Sequence, residues 1–344
     1  MIIPPQRISI DYESVATKLQ EICSNGQLTH GKYIERFESE WARFCGKKYC
    51  VTTNSCTSAL EIAIRAMNIP KGKKIIVPTN TYGATVQACW NAGYQVELVD
   101  VQADLNMDID KIPWSDDIGL VLMVFIGGNV PERIGELCTE AYDRDIPIIT
   151  DSAHAHGSKG NTDYSDISCF SFFATKLITT FGEGGCLVTD DNDYADFARR
   201  YRHHGRESDG MLWNHRHDGA NMCMTEAQAI VGLDQLNNIH KFIATRYKVA
   251  EIYNEKFTPI FENGNYYKYI VPGRGVVKNK DITLSSPVYS KPIHQHSFWP
   301  VISKADQKYP VADDVCKNHV CLPVYNDMTI EEAKFCRDNV EVVE

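Results

Sequence analysis

Three short segments hold residues able to act together chemically. The first is a polar turn, Thr53-Asn54-Ser55-Cys56-Thr57-Ser58. It falls between a predicted strand and a helix that opens on small residues. Free N–H groups at that helix start, with the hydroxyls of Ser55 and Thr57, would cradle a phosphate, although an N-cap with spare serines reads the same way. The second is Asp151-Ser152-Ala153-His154-Ala155-His156, which follows the apolar run IPIIT. An acid and an imidazole would emerge at the carboxyl edge of a sheet, where ligands bind in α/β folds, unless Asp151 only caps the next turn. His154 and His156 alternate as metal ligands on a strand do, but this segment supplies no third ligand. The third is Ser171-Phe172-Phe173-Ala174-Thr175-Lys176-Leu177, with Phe181-Gly182-Glu183-Gly184-Gly185 after it. A lysine among aromatic residues either snorkels out or is partly desolvated, and desolvation favours the neutral amine that attacks carbonyls. The glycines behind it would let backbone approach a flat ligand closely.

Elements able to position these groups follow from the pattern between about residues 48 and 190. Short β-branched runs (KYCVTT, KIIVP, YQVELVD, GLVLMVF, IPIITD, ISCFSFF, GCLVTDD) alternate with helical stretches. Strands buried on both faces read as continuous apolar runs, so an α/β fold with a mostly parallel seven-stranded sheet between helices is expected. Tyr33, Phe37, Trp41 and Phe44 recur at helical spacing before it, in a helix that stops at Gly46. Beyond about residue 238 the pattern changes to a Tyr- and Lys-rich helix, a Gly/Asn/Tyr segment and the extended run ITLSSPVYSKPIHQH. We therefore expect a large domain over 1–237, with an N-terminal arm, and a smaller C-terminal α+β domain over 238–344.

All three chemical segments then sit at one sheet edge. Neither the G-x-G-x-x-G nor the G-x-x-x-x-G-K-[ST] fingerprint occurs, which weakens nicotinamide and nucleoside triphosphates as cofactors. A phosphate anchor, an acid for a ring nitrogen and a Schiff-base amine are the parts that pyridoxal 5'-phosphate (PLP) requires. The formal net charge of −10 argues against a nucleic-acid partner. Twelve scattered cysteines without close spacing read as reduced thiols, not as a disulfide framework or a metal centre. The N-terminus MIIPPQRISIDY lacks a basic start and an apolar stretch, and no run is long enough to span a bilayer, so a cytoplasmic protein with no membrane partner is expected.

Nearly the whole chain resembles the DegT/DnrJ/EryC1/StrS family of PLP-dependent sugar aminotransferases. The resemblance runs through IPPQRISI, GQLTHG, FESEWARFCGKKY, the polar turn, PTNTYGATVQA, DSAHAHGS, SFFATK, GEGG, RYRHHG, GANMCMTEAQAIVGLDQL, KPIH and LPVYNDMT. It implies PLP fold type I, like aspartate aminotransferase, with Lys176 as the imine-forming lysine and Asp151 paired with the ring nitrogen. It further implies Cys56, Thr57 and Ser171 on the phosphate, Tyr82 stacked on the ring and His154 near its phenolic oxygen. Asn221 takes the position that reaches the partner's cofactor phosphate, which implies a homodimer with shared sites; Thr29 and His294 take positions on the substrate side. Glutamate or glutamine as donor and a nucleotide-linked keto-deoxyhexose as acceptor are implied for aminosugar or surface-polysaccharide biosynthesis. The chain departs from the family at Cys56, Phe173 and Leu177 and is shorter between about 257 and 285, so a keto-cyclitol or small phosphorylated ketone is an alternative acceptor. A PLP-dependent sugar dehydratase would carry His in place of Lys176, and a PLP-binding regulator without turnover would need a DNA-binding segment that is not evident.

Overall fold

The computed structural model describes residues 2–206, 215–297 and 307–343. Two helices open the chain, α1 (Tyr12–Asn25) and α2 (Lys32–Phe44). There follow β1 (Tyr49–Thr53), α3 (Cys56–Ala66), β2 (Lys74–Pro78), α4 (Gly83–Asn91), β3 (Gln95–Val99), β4 (Ile118–Val124), α5 (Ile134–Tyr142), β5 (Ile148–Asp151), β6 (Ile167–Ser171), β7 (Gly185–Thr189) and α6 (Asn192–Tyr201). The seven strands form one sheet in the order β1-β7-β6-β5-β4-β2-β3. All its pairings are parallel except those of β7, which runs antiparallel to β6 and β1. Neighbouring residues of one strand enter opposite cores. Leu120 and Leu122 pack with α3 and α4, whereas Val121 and Met123 pack with α5. This period-2 division explains why the strands read as unbroken apolar runs.

The predicted aromatic stripe is the buried face of α2. Phe37 and Trp41 are fully buried against Phe172 and α7 (Glu226–Asn237), and Gly46 takes the left-handed φ of 67° that ends the helix. The N-cap of α2 is Gly31, which has no side chain to offer. Glu226 from the first turn of α7 caps it instead. Its carboxylate is fully buried and accepts the N–H groups of Gly31 (3.1 Å), Tyr33 (3.0 Å) and Ile34 (3.0 Å). A carboxylate at a helix N-terminus also complements the helix dipole. Glu226→Ala leaves three donors without an acceptor, and we expect it to cost on the order of 3–5 kcal/mol of stability. That corresponds to a fall of roughly 5–15 °C in Tm. A Tm within about 2 °C of wild type by calorimetry would mean that water replaces this cap without loss.

The C-terminal part comprises α8 (Ile239–Asn254), β8 (Tyr269–Pro272), β9 (Arg274–Val277), α9 (Pro310–Val315), β10 (His319–Leu322), α10 (Ile330–Asn339) and β11 (Val340–Val343). Its strands form two antiparallel pairs, β8 with β10 and β9 with β11. Tyr253, Tyr269, Leu322 and Cys336 pack in a core of their own. Ile3 joins that core and bridges Ile282, so the first residues of the arm pack with the C-terminal part and not with the large sheet. The run expected to be extended contributes only single bridges at Ile282 and Ser285 and a short turn of 3-10 helix at Ile293–Gln295. All twelve cysteines are free, eight of them buried. Among the described residues no helix is long and apolar enough to cross a membrane.

Candidate active site

A cavity of about 580 Å³ opens at the carboxyl edge of the sheet. Its wall includes Cys56, Thr57, Tyr82, Asp151, His154, Ser171 and Lys176. Strand ends and helix starts place them there: Asp151 ends β5, Ser171 ends β6, Cys56 starts α3, and Tyr82 precedes α4.

The polar turn forms an N-cap and leaves donors unused beside it. Ser55 is the N-cap of α3 and accepts the Ser58 N–H at 3.2 Å. The N–H groups of Cys56 and Thr57 have no acceptor among the described residues and lie at the cavity wall, so the first turn offers an anion two free donors. Burial pushes the Cys56 thiol up, so its backbone N–H is the group it offers. Strand β7 presses against this turn. A Cβ on Gly185 would stand 2.4 Å from the Cys56 nitrogen, and one on Gly184 would strike Thr180 Oγ1 at 2.0 Å. These glycines admit the protein's own chain, not the ligand approach expected of them. Ser171 Oγ accepts the Phe173 N–H at 3.3 Å, which leaves its own proton to donate.

Asp151 is 6% exposed. Its Oδ2 accepts from Thr85 Oγ1 (2.9 Å) and its Oδ1 from the Ala153 N–H (3.1 Å), so it also caps its turn. No cation forms an ion pair with it among the described residues, and burial, only partly offset by these two hydrogen bonds and the Lys176 charge, holds its pKa above the usual aspartate range. A protonated ring nitrogen is the kind of partner such a carboxylate lacks. His154 faces the cavity, with Nδ1 accepting the Gly127 N–H (3.3 Å) and Nε2 facing the Tyr289 hydroxyl (3.3 Å). Burial and the nearby Lys176 keep it neutral, well below an ordinary histidine. His156 points the other way, into Trp41, Phe170 and Phe172, and its Nε2–H donates to the Ser171 carbonyl at 2.8 Å. The two imidazoles therefore diverge and share no ligand.

Tyr82 is exposed, and one face of its ring stacks on Tyr289 with centroids 5.9 Å apart. A flat ring inserted between two others needs about 7 Å, twice the ~3.5 Å contact of carbon atoms. A cofactor ring on that face of Tyr82 thus requires Tyr289 to move.

The Lys176 ammonium has no hydrogen-bond acceptor or ion-pair partner among the described residues, and it sits 5.2 Å from the centroid of Tyr267. The aromatic surroundings read from the sequence hold only in part: Phe173 lines the cavity with Lys176, but Phe172 lies in the core beneath α2, and Phe181 is 71% exposed. The ring beside the amine arrives from the C-terminal part. Tyr267 stacks on His154 at 4.3 Å, and its N–H donates to Asn265 Oδ1 at 2.8 Å. Arg246, 4% exposed, donates through Nη1 to the carbonyls of Tyr266 (3.0 Å), Tyr267 (3.2 Å) and Val324 (3.2 Å), and through Nε to Asn326 Oδ1 (3.0 Å). Asn326 in turn donates to the Leu177 carbonyl at 2.7 Å, and Gln6 donates to the Ala174 carbonyl. The backbone on both sides of Lys176 is held from outside its own segment.

Tyr267, Lys268, Tyr289 and Gln6 also line the cavity and were missed in the sequence. The signal for the first two was the cation amid tyrosines in Tyr266-Tyr267-Lys268-Tyr269. Three expected residues lie outside the wall. His294 is tied to Thr79 Oγ1 (2.5 Å) and Asp313 (3.0 Å). Thr29 bridges Thr225, and Asn221, exposed, bridges His203 while the next residue, Met222, accepts the Asn54 N–H at 2.9 Å.

The sequence profile of the DegT/DnrJ/EryC1/StrS aminotransferase family matches residues 10–265 and 276–341. The chain is 28% identical to a UDP-4-amino-4,6-dideoxy-N-acetyl-beta-L-altrosamine transaminase of Campylobacter jejuni, over 91% of this chain and 90% of that protein. It is also 28% identical to a GDP-perosamine synthase of Escherichia coli O157:H7, over 90% of each. Among solved structures it superposes on Helicobacter pylori PseC, an aminotransferase of pseudaminic-acid biosynthesis, with TM-score 0.86, 21% identity and 98% of each chain covered. The PMP form of Spr1654 from Streptococcus pneumoniae, described as a sugar aminotransferase, gives TM-score 0.87 at 22% identity, with 98% of this chain and 96% of that one covered.

Proposed function

Because the chain belongs to the DegT/DnrJ/EryC1/StrS aminotransferase family, we propose that its cavity passes an amino group from glutamate or glutamine to a keto-sugar carried on a nucleotide. The observation that carries this reading is the unpartnered Lys176 amine facing one cavity with two free helix-start N–H groups and a buried carboxylate lacking a cation. Those groups fit PLP, which when bound supplies the electron sink that amine exchange needs. Cys56 and Thr57 hold its phosphate through their N–H groups, with the hydroxyls of Thr57 and Ser171. Asp151 would keep a proton on its ring nitrogen, and His154 and Tyr82, in the same wall, would help to hold its ring. Lys176 would hold the cofactor through its amine and would serve as the base that carries a proton at the reacting carbon.

The acceptor class rests on the nucleotide-sugar activities in the names of the relatives. The chain works in the cytoplasm as a homodimer in which Asn221, exposed and outside its own cavity, reaches the partner's cofactor phosphate. Domain 1–237 carries the cofactor groups, and 238–344 closes the cavity through Tyr267 and Tyr289. Incubating the purified protein with glutamate or glutamine should yield the pyridoxamine form and the matching keto acid. Nucleotide-linked keto-deoxyhexoses should then return the original absorbance, while keto-cyclitols and small keto-phosphates should not. Turnover confined to either of the last two groups would reassign the acceptor, and absence of amine exchange with any amino acid would remove the aminotransferase reading.

A further inference from the structure

We propose that Lys268 is the substrate-anion site of this cavity, its ammonium receiving either the carboxylate of the amino-acid donor or the phosphate of the nucleotide-linked acceptor. The proposal rests on the aminotransferase reading above and adds to it a residue that recognises substrate charge. Lys268 lies in the cavity wall, and its Nζ is 5.7 Å from the centroid of Tyr267, the ring that also carries Lys176 Nζ at 5.2 Å. Two ammonium groups thus flank one aromatic ring. Among the described residues, Lys176 and Lys268 are the two lysines of the wall, and no arginine lines it. The reaction uses the amine of Lys176. The α3 start and Asp151 are turned to the cofactor. Lys268 is therefore the wall cation left for a substrate.

Its bonding supports this. Lys268 Nζ donates to the Ser286 carbonyl at 3.2 Å, a neutral acceptor that leaves two of its three N–H donors unused, and among the described residues no carboxylate forms an ion pair with it. Placement is fixed before any ligand arrives. Tyr267 is held through its N–H by Asn265 and through its carbonyl by the buried Arg246, and Tyr269 on the other side begins β8. A cation on so constrained a backbone loses little freedom when it binds an oxyanion. Both candidate ligands present such an oxyanion, and the amine of an amino-acid donor must enter beside Lys176.

The test uses the holoenzyme and two probes that cannot react. Glutarate stands for the donor's carboxylates, and inorganic pyrophosphate for the charged end of the acceptor. Titration calorimetry on wild type and Lys268→Gln should show Kd raised about tenfold or more for at least one probe, while Lys268→Arg stays within about threefold. Binding to wild type should weaken with salt more steeply than binding to Lys268→Gln. A rise for glutarate alone, with KM for the donor raised and kcat little changed, assigns the carboxylate. A rise for pyrophosphate alone assigns the phosphate, and a rise for both means that the two substrates use Lys268 in turn. Cofactor content and Tm check the fold, and Lys268→Met, which keeps an apolar stem against Tyr267, repeats the measurement if the Gln variant is unstable. Kd values within twofold for both probes, or no binding of either to wild type, overturn the proposal. Amine exchange at saturating donor is measured separately, so an intact exchange with unchanged Kd values sinks the Lys268 site alone.

Discussion

Lys176→Ala is expected to lower turnover by at least about 10³-fold while leaving the fold intact, because the proposed roles of tether and proton carrier both fall on this one side chain. The substitution removes a half-buried side chain whose amine has no hydrogen-bond partner among the described residues, so Tm should hold. Lys176→Arg should be nearly as inactive, since a guanidinium does not give up its proton at any working pH. Borohydride reduction of wild type followed by mass spectrometry should place a pyridoxyl group on Lys176. Label on another lysine, or an alanine variant within tenfold of wild type, would refute the assignment. The same variant probes the proposed shared site. Asn221→Asp sets a carboxylate against the partner's cofactor phosphate, and cofactor affinity should fall. If each site draws Lys176 from one chain and Asn221 from the other, a heterodimer of the two variants has one site with both lesions and one with neither. It should regain up to half of wild-type activity; a heterodimer as inactive as its parents would place Asn221 in its own chain's site.

What could be read from the sequence divides along a physical line. Strand ends and helix starts announce themselves, because burial on both faces makes continuous apolar runs and caps use few residue types. Asp151 at the end of β5 and Cys56 at the start of α3 could be placed on that basis alone. The far wall of the cavity carries no such pattern. Tyr267 and Lys268 belong to an irregular stretch, and what fixes them is Arg246, whose carbonyl ligands lie as far away as Val324. The lysine segment misled for the same reason. Neighbours in sequence alternate between faces, so Phe172 went to the core under α2, and the ring beside Lys176 came from about ninety residues further along. Gly185 was legible as a need for space, yet its occupant was the Ser55–Cys56 backbone and not a ligand.

Asp151→Asn should keep the cofactor and lose the chemistry. The side chain has two protein partners, and both can be kept. An asparagine carbonyl oxygen can still accept the Ala153 N–H, and its amide can donate to Thr85, whose hydroxyl then turns to donate to Thr81 Oγ1, 2.7 Å away. The turn, the strand end and the proposed phosphate donors at Cys56 and Thr57 are untouched, so binding of PLP should change little. The missing element is charge. Burial holds the Asp151 carboxyl above its usual pKa despite the nearby Lys176, and a ring N–H⁺ in direct contact would favour its charged form. A neutral amide cannot stabilise that proton, and the ring withdraws electrons less well. The loss should therefore fall on kcat, by about 10²–10³-fold, with KM for the donor little changed. Pre-steady-state mixing with donor would show slowed loss of the starting absorbance at every donor concentration. A variant within fivefold of wild type in that rate would leave Asp151 as the cap of its turn and move the search for the ring-nitrogen partner elsewhere in the wall.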